Sequence, residues 1–163
     1  MDDMKLPERK PNRLPDYDYS QNGAYFVTIC TQDRKRILSE IVGDGFPVPK
    51  PIGKIAEEYI RQISVKYPTV AIDRSVIMPD HIHILLRIEK GAEDPPPTLG
   101  NNIAWYKYQV TKQVNLRIDT KGEKIFQRSY YDHVIRNKRD YDEVWQYIEN
   151  NPLKWLLDSQ ECT

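Results

Sequence analysis

The chain lacks any apolar run approaching the ~20 residues needed to cross a bilayer, which excludes a helical membrane protein. Met1-Asp2-Asp3-Met4-Lys5 carries no apolar signal region, so a cytoplasmic rather than a secreted protein is expected. Cysteine is scarce. There are 2, Cys30 in a candidate strand and Cys162 beside the C-terminus, which excludes a disulfide scaffold and suits a reduced compartment. An excess of one charge is missing too. The 24 basic and 24 acidic residues cancel, which argues against a bulk electrostatic nucleic-acid binder. No internal repeat interrupts the 163 residues, a length that suits one domain with a real core. Histidine is rare as well, and informative: of the 3, two stand one residue apart at His81 and His83.

The charge that is present is uneven. Residues 98–140 hold nine basic and four acidic side chains, a local excess of +5, and Arg34-Lys35-Arg36 forms a second basic knot. Local basic surface on a neutral protein is compatible with phosphate contacts, and equally with an ordinary solvated face.

Residues 1–22, with four basic residues and three prolines, read as an extended arm without a core of its own, and 23–163 as a single domain. Residues 24–30, rich in β-branched and aromatic side chains, predict a first strand. A short piece begins at Ile37-Leu38, and the glycines and prolines of 43–51 predict loop. Ile55, Tyr59, Ile60 and Ile63 predict a helix over 52–66 that ends before Pro68. Residues 70–78 suggest a strand broken near Asp73-Arg74. In the next, 81–88, Ile82, Ile84, Leu86 and Ile88 share one face, and His81, His83, Leu85 and Arg87 share the other. A stiff proline loop follows at 91–97. Thr98 caps a second helix to about 116, with Leu99, Ile103, Tyr106, Val110 and Val114 on one side. Residues 125–136 read as a further strand. Asn137 caps a third helix that is expected to stop at Pro152, followed by a short helical tail. Together these elements predict an α+β protein with one antiparallel sheet and helices packed on it.

In a strand, residues i and i+2 face the same way. His81 and His83 therefore project together and form a bidentate site for a divalent metal, unless protein groups satisfy both rings. On the third helix, residues set at ~100° intervals make Tyr141, Val144 and Ile148 the apolar stripe, with Trp145 and Tyr147 at its margins. Asn151 falls inside that stripe, and Tyr147 and Asn151 share a face. A buried amide is costly without a partner. Either a metal or local backbone can supply one, the second being common for asparagine before proline. Two imidazoles and an amide oxygen would leave positions open for water and substrate, as a catalytic rather than a structural site does. That mixed set suits Mg²⁺, Mn²⁺ or another first-row ion.

Met78-Pro79-Asp80-His81-Ile82-His83, joined to Tyr147-Ile148-Glu149-Asn150-Asn151-Pro152, resembles the single-tyrosine HUH transposases, and within them the REP-associated tyrosine transposase branch. Asp18-Tyr19-Ser20, residues 23–28 and residues 130–136 agree, so the resemblance runs from about Arg13 to Trp155. It implies a ferredoxin-like fold, with Mg²⁺ or Mn²⁺ held by His81, His83 and Asn151, and Tyr147 as the nucleophile. It also implies cleavage and rejoining of single-stranded DNA near hairpins through a 5′-phosphotyrosine. The protein would be cytoplasmic and nucleoid-associated, without a membrane partner, as a monomer or homodimer. Arg13, Arg34, Lys107, Lys112, Arg128 and Arg136 are the expected phosphate contacts. Trp105, Tyr106 and Tyr108 are candidates for base stacking. Tyr130 and Tyr131 are lesser candidates for the nucleophile, and His133 has no assigned role. One rival is a catalytically idle DNA or RNA hairpin-binding module derived from such an enzyme. Another is a metalloprotein acting on a different phosphoester. On the first reading a ring nitrogen of each histidine and the Asn151 side-chain oxygen converge, and Tyr147 opens onto the same pocket.

Overall fold

The computed structural model describes residues 23–89, 98–118 and 122–161. The arm at 1–22, Arg13 within it, and the loop at 91–97 lie outside those residues. The sheet is built around β1 (Gly23–Cys30) and β5 (His81–Ile88), both buried nearly throughout. Between them in sequence come β2 (Ser39–Val42), β3 (Phe46–Pro49), α1 (Pro51–Lys66) and β4 (Val70–Ile77). After them come α2 (Leu99–Arg117), β6 (Tyr131–Ile135) and α3 (Lys138–Glu161). The larger sheet has the order β4-β5-β1-β6 with antiparallel neighbours. With β2 and β3 set aside as an inserted hairpin, the elements from β1 to β6 run βαββαβ, the ferredoxin-like arrangement that was expected, and α3 is added at the end.

Strand alternation divides the core. Tyr25, Val27 and Ile29 of β1, with Ile82, Ile84, Leu86 and Ile88 of β5, face α1 and α2. Phe26 and Leu85 face the opposite way and pack on Val144 and Ile148 of α3. Helices on both faces explain why these two strands expose almost nothing. The predicted break in β4 is a register shift between Ile72 and Arg74. Thr98 caps α2 as predicted, accepting the Asn101 N–H at 3.2 Å, while its own N–H donates back to Asn101 Oδ1.

Three sequence readings are corrected. Residues 43–51 are not all loop: β3 lies within them and pairs with β2, the two joined by a turn in which Gly43 (φ 58°) and Gly45 (φ 108°) take the left-handed region. Pro47 and Pro49 are tolerated because this small sheet has no central strand to interrupt. Residues 125–136 do not form one strand. Only β6 does, while Phe126 makes an isolated bridge to Thr31. The third helix passes through Pro152 instead of stopping. Packing decides this: Pro152 is buried, and the Leu153 backbone lies against Gly45, where an added Cβ would stand 3.0 Å from the Leu153 Cα. Tertiary contact outweighs the local bias of Asn151 away from helix.

Gly53 shows how tightly α1 is seated. A Cβ there would overlap the Leu38 carbonyl oxygen and come 2.8 Å from its carbon. In an open helix, Gly→Ala stabilises by about 1 kcal/mol. Here Gly53→Ala is expected to destabilise by roughly 2 kcal/mol or more, as overpacking does. Chemical denaturation distinguishes the two signs.

Candidate active site

The outward face of the central strands carries the polar groups. His81 and His83 are both buried, with ring centroids 4.6 Å apart. Strand pairing sets Thr28 opposite His83 and Cys30 opposite His81. Thr28 Oγ1 lies 2.9 Å from His83 Nδ1, and Asp80 Oδ1 lies 2.7 Å from His81 Nδ1. Both rings are therefore engaged through Nδ1. His83 Nε2 is buried with no partner among the described residues. A proton on that nitrogen would be an orphaned donor, so the tautomer that fits is Nδ1–H donating to Thr28, with a lone pair left on Nε2. Burial first, then the His81 and Arg34 charges, push the His83 pKa well below the usual imidazole range and keep the ring neutral.

Asp80 was not assigned a role from sequence, although it directly precedes His81. Burial works to raise its pKa, but hydrogen bonds from His81 and from Arg34 Nε (3.1 Å) outweigh this and hold the carboxyl below its ordinary value. An ionised carboxylate behind an imidazole fixes its orientation and strengthens its basicity toward a metal. The backbone leading into Arg34 is itself unusual, with Asp33 and Arg34 both at positive φ (58° and 53°).

From the other side, α3 brings Tyr147 and Asn151. The Tyr147 ring lies 5.5 Å from His83 and 5.8 Å from Phe26, centroid to centroid. Burial raises the Tyr147 pKa, and its hydrogen bond with the Asn151 side chain partly offsets this. Asn151 Oδ1 is buried and has no partner among the described residues. Pro152 follows without ending the helix, so the amide is not consumed as a stop signal. Two unsatisfied buried acceptors, one on each of two residues that touch Tyr147, are an observation that fits a cation. Among the described residues no group of three His, Cys, Asp or Glu could hold a metal.

The docking of α3 has polar anchors that the sequence did not disclose. Tyr141 donates to Asp73 Oδ2 at 2.6 Å, at the β4 register shift, and Arg87 Nε pairs with the same carboxylate at 2.8 Å. Burial and that carboxylate push the Tyr141 pKa up to about 12. The Arg74 guanidinium lies 4.8 Å from the Trp145 ring centroid. At the helix start Asp140 accepts from the Arg136 N–H and lies 2.9 Å from His133 Nε2. His133, unassigned from sequence, thus ties β6 to the first turn of α3.

The remaining predicted residues disperse. Lys107 is turned inward: its ammonium donates to the carbonyls of Gln127 (2.6 Å), Arg128 (2.9 Å) and Ser129 (3.3 Å). It braces the segment before β6, with its three protons directed at protein. Lys112 is exposed on α2, across the sheet from the histidines, while Arg128 and Arg136 are exposed before and after β6. Arg34 reaches the site but is bonded to Asp80 and, through Nη1, to Cys30 Sγ at 3.2 Å. Tyr106 is fully buried and donates to the Ala56 carbonyl, and Trp105 packs against Tyr59 and Tyr67 on the helix layer opposite the site. Tyr108 is exposed. Tyr130 is in the core, whereas Tyr131 pairs with Thr28 and so shares the histidine face.

Comparison with known proteins gives a consistent picture. A family model described as "Transposase IS200 like" matches residues 19–151. A Haemophilus influenzae protein provisionally named a REP-associated tyrosine transposase is 30% identical over 146 residues, covering 84% of this chain and 74% of its own. An uncharacterised protein of the same organism is 29% identical over 170 residues, covering 94% and 93%. In fold, the chain is similar to a REP-associated tyrosine transposase solved bound to a REP hairpin, with TM-score 0.59, 21% identity, and coverage of 87% of this chain and 73% of that one. Among the described residues, no helix is long and apolar enough to cross a membrane.

Proposed function

We propose a function for this chain, which belongs to the IS200-like transposase family: it cleaves and rejoins single-stranded DNA beside hairpins, using Tyr147 as the nucleophile. The observation that carries the reading is the pair of orphaned buried acceptors, His83 Nε2 and Asn151 Oδ1, beside that tyrosine. His81, His83 and Asn151 would hold the cation, Mg²⁺ or Mn²⁺. When bound, it supplies charge neutralisation at a non-bridging phosphate oxygen.

The protein groups do the rest. Asp80 and Thr28 hold the two imidazoles by Nδ1. Tyr147 Oη gives its proton to solvent and forms a bond to phosphorus, while the bond to the 3′-oxygen breaks and that oxygen takes up a proton from solvent. The products are a 5′-phosphotyrosyl link and a free 3′-OH. Attack on that link by another 3′-OH restores the phosphodiester and returns the tyrosine, so strand transfer needs no external energy source. A duplex would bury the scissile step, so the substrate is a single strand. The hairpin preference rests on the similar transposase bound to a REP hairpin. The enzyme would act in the cytoplasm, at the nucleoid.

The test incubates the protein with 3′-end-labelled, hairpin-bearing single strands and Mn²⁺, then resolves the products under denaturing conditions. A labelled band shifted to protein mass is expected, and it should vanish with chelator. Tight hairpin binding without any adduct would contradict the enzyme reading and favour an idle binding module.

A further inference from the structure

Residues 31–39 hold the turn that leads into His81. The Ile77 carbonyl accepts from Ser39 Oγ at 2.8 Å, the Pro79 carbonyl from the Leu38 N–H at 3.0 Å, and the Asp80 carbonyl from the Thr31 N–H at 3.0 Å. The Thr31 hydroxyl lies within reach of two carbonyls, that of Lys35 at 2.8 Å and that of Asp80 at 3.1 Å. Thr31, Leu38 and Ser39 are all buried. These contacts fix where the Asp80 backbone stands. They do not fix where its carboxylate points.

That falls to Arg34. Its Nε donates to Asp80 Oδ2 at 3.1 Å, while Asp80 Oδ1 lies 2.7 Å from His81 Nδ1, so each oxygen has a partner of its own. A carboxylate held at one oxygen can turn; held at both, its plane is set. Arg34 Nη1 lies 3.2 Å from Cys30 Sγ, which anchors the guanidinium in turn, and Cys30 stands opposite His81 in the sheet. The backbone is strained to make this reach. Asp33 and Arg34 both take the left-handed region, at φ 58° and 53°. Such conformers persist only where the surroundings over-determine them. The contacts that do so here are the Arg34 N–H to the Thr31 carbonyl (3.1 Å) and the two bonds of the guanidinium.

Arg34 is also one of the expected phosphate contacts, and its Nη2 has no partner among the described residues. That role is the rival. Against it, the two donors with fixed partners both point into the protein, and a buried carboxylate is costly unless a cation and hydrogen bonds meet it. Resting on the metal site proposed above, we infer that Arg34 is a positioning residue for His81. It locks the Asp80 carboxylate in the orientation that holds His81 by Nδ1 and leaves Nε2 for the cation. It acts through Asp80 and not on the DNA backbone.

The test measures Mn²⁺ affinity without DNA, from the rise in melting temperature on titration. It compares the parent protein with Arg34→Gln, Asp80→Asn and the double variant. Asp80→Asn should weaken binding by about tenfold to a hundredfold, as loss of a group behind a ligating imidazole does, and Arg34→Gln by about tenfold. Effects that pass through one shared partner do not add, so the double variant should bind no more weakly than Asp80→Asn alone. In metal-free protein, the His81 Nδ1–H donated to Asp80 should give a downfield proton NMR signal. Arg34→Gln should weaken that signal and leave the His83 Nδ1–H signal in place. If Arg34→Gln does not fold, Asp33→Gly/Arg34→Gln takes its place, because glycine accepts the left-handed turn without strain. It should show the same loss of Mn²⁺ affinity, and Asp33→Gly alone should show none. Additive losses in the double variant would overturn the assignment. So would Mn²⁺ binding by Arg34→Gln as tight as the parent's, and weaker hairpin binding in that variant would then return Arg34 to the phosphate role. A parent protein whose melting does not respond to Mn²⁺ would overturn the metal site itself, and this inference with it.

Discussion

Tyr147→Phe is expected to fold as the parent protein does and to form no covalent adduct, with strand cleavage reduced at least about a thousandfold. The stability half of this follows from packing. The ring meets Phe26 and His83 through its edges, at 5.8 and 5.5 Å, and phenylalanine keeps both contacts. Only the hydroxyl and its hydrogen bond with Asn151 are lost, worth about 1 kcal/mol. The activity half follows because the hydroxyl is the atom that bonds to phosphorus. Tyr131 is the control. It shares the histidine face through its pairing with Thr28, so Tyr131→Phe should retain the adduct. Thermal melting and a denaturing gel on the same samples read both halves. An adduct that persists in Tyr147→Phe would assign the nucleophile to another residue.

Asn151→Ala is expected to move stability and metal response in opposite directions. A buried acceptor without a partner costs about 1–3 kcal/mol, and Asn151 Oδ1 is such an acceptor. Alanine also has the higher helix propensity, by up to about 0.7 kcal/mol. Against this stands the hydrogen bond to Tyr147, about 1 kcal/mol. The variant should therefore be more stable than the parent without metal, by about 1 kcal/mol. The parent should gain stability with Mn²⁺ in proportion to site occupancy. The variant should lose most of that gain, as its affinity falls tenfold or more. His83→Ala should lose the gain too, but without the compensating stabilisation, because Phe26 and Tyr147 pack on that ring. Melting curves at several Mn²⁺ concentrations decide the matter. An Asn151→Ala variant less stable than the parent and equally responsive to Mn²⁺ would remove the amide from the site.

Much of this architecture was legible because it rests on short-range patterns. The alternation of 81–88 announced both the apolar face and the histidine face, and the spacing of Ile55, Ile60 and Ile63 announced α1. What was not legible depended on contacts distant in sequence. Pro152 reads as a stop, and only the packing of the segment against Gly45 and the sheet keeps the helix going. With that helix shortened, the placing of Trp155 6.1 Å from His81, centroid to centroid, could not be seen. Lys107 looked like a phosphate contact because nothing in its neighbourhood reveals that the carbonyls of 127–129 fold back onto it. Trp105 looked available for stacking, yet the antiparallel packing of α1 and α2 places it against Tyr59 and Tyr67. Thr28 shows the same limit: its pairing with His83 joins residues 55 apart.

The most direct test of the proposed chemistry is mass spectrometry of the protein after reaction with a hairpin-bearing single strand and Mn²⁺, followed by nuclease trimming and proteolysis. The expected spectrum shows a nucleotide remnant linked through its 5′-phosphate to the peptide containing Tyr147. Cut DNA bearing a free 5′-phosphate, with every tyrosine peptide unmodified, would contradict it.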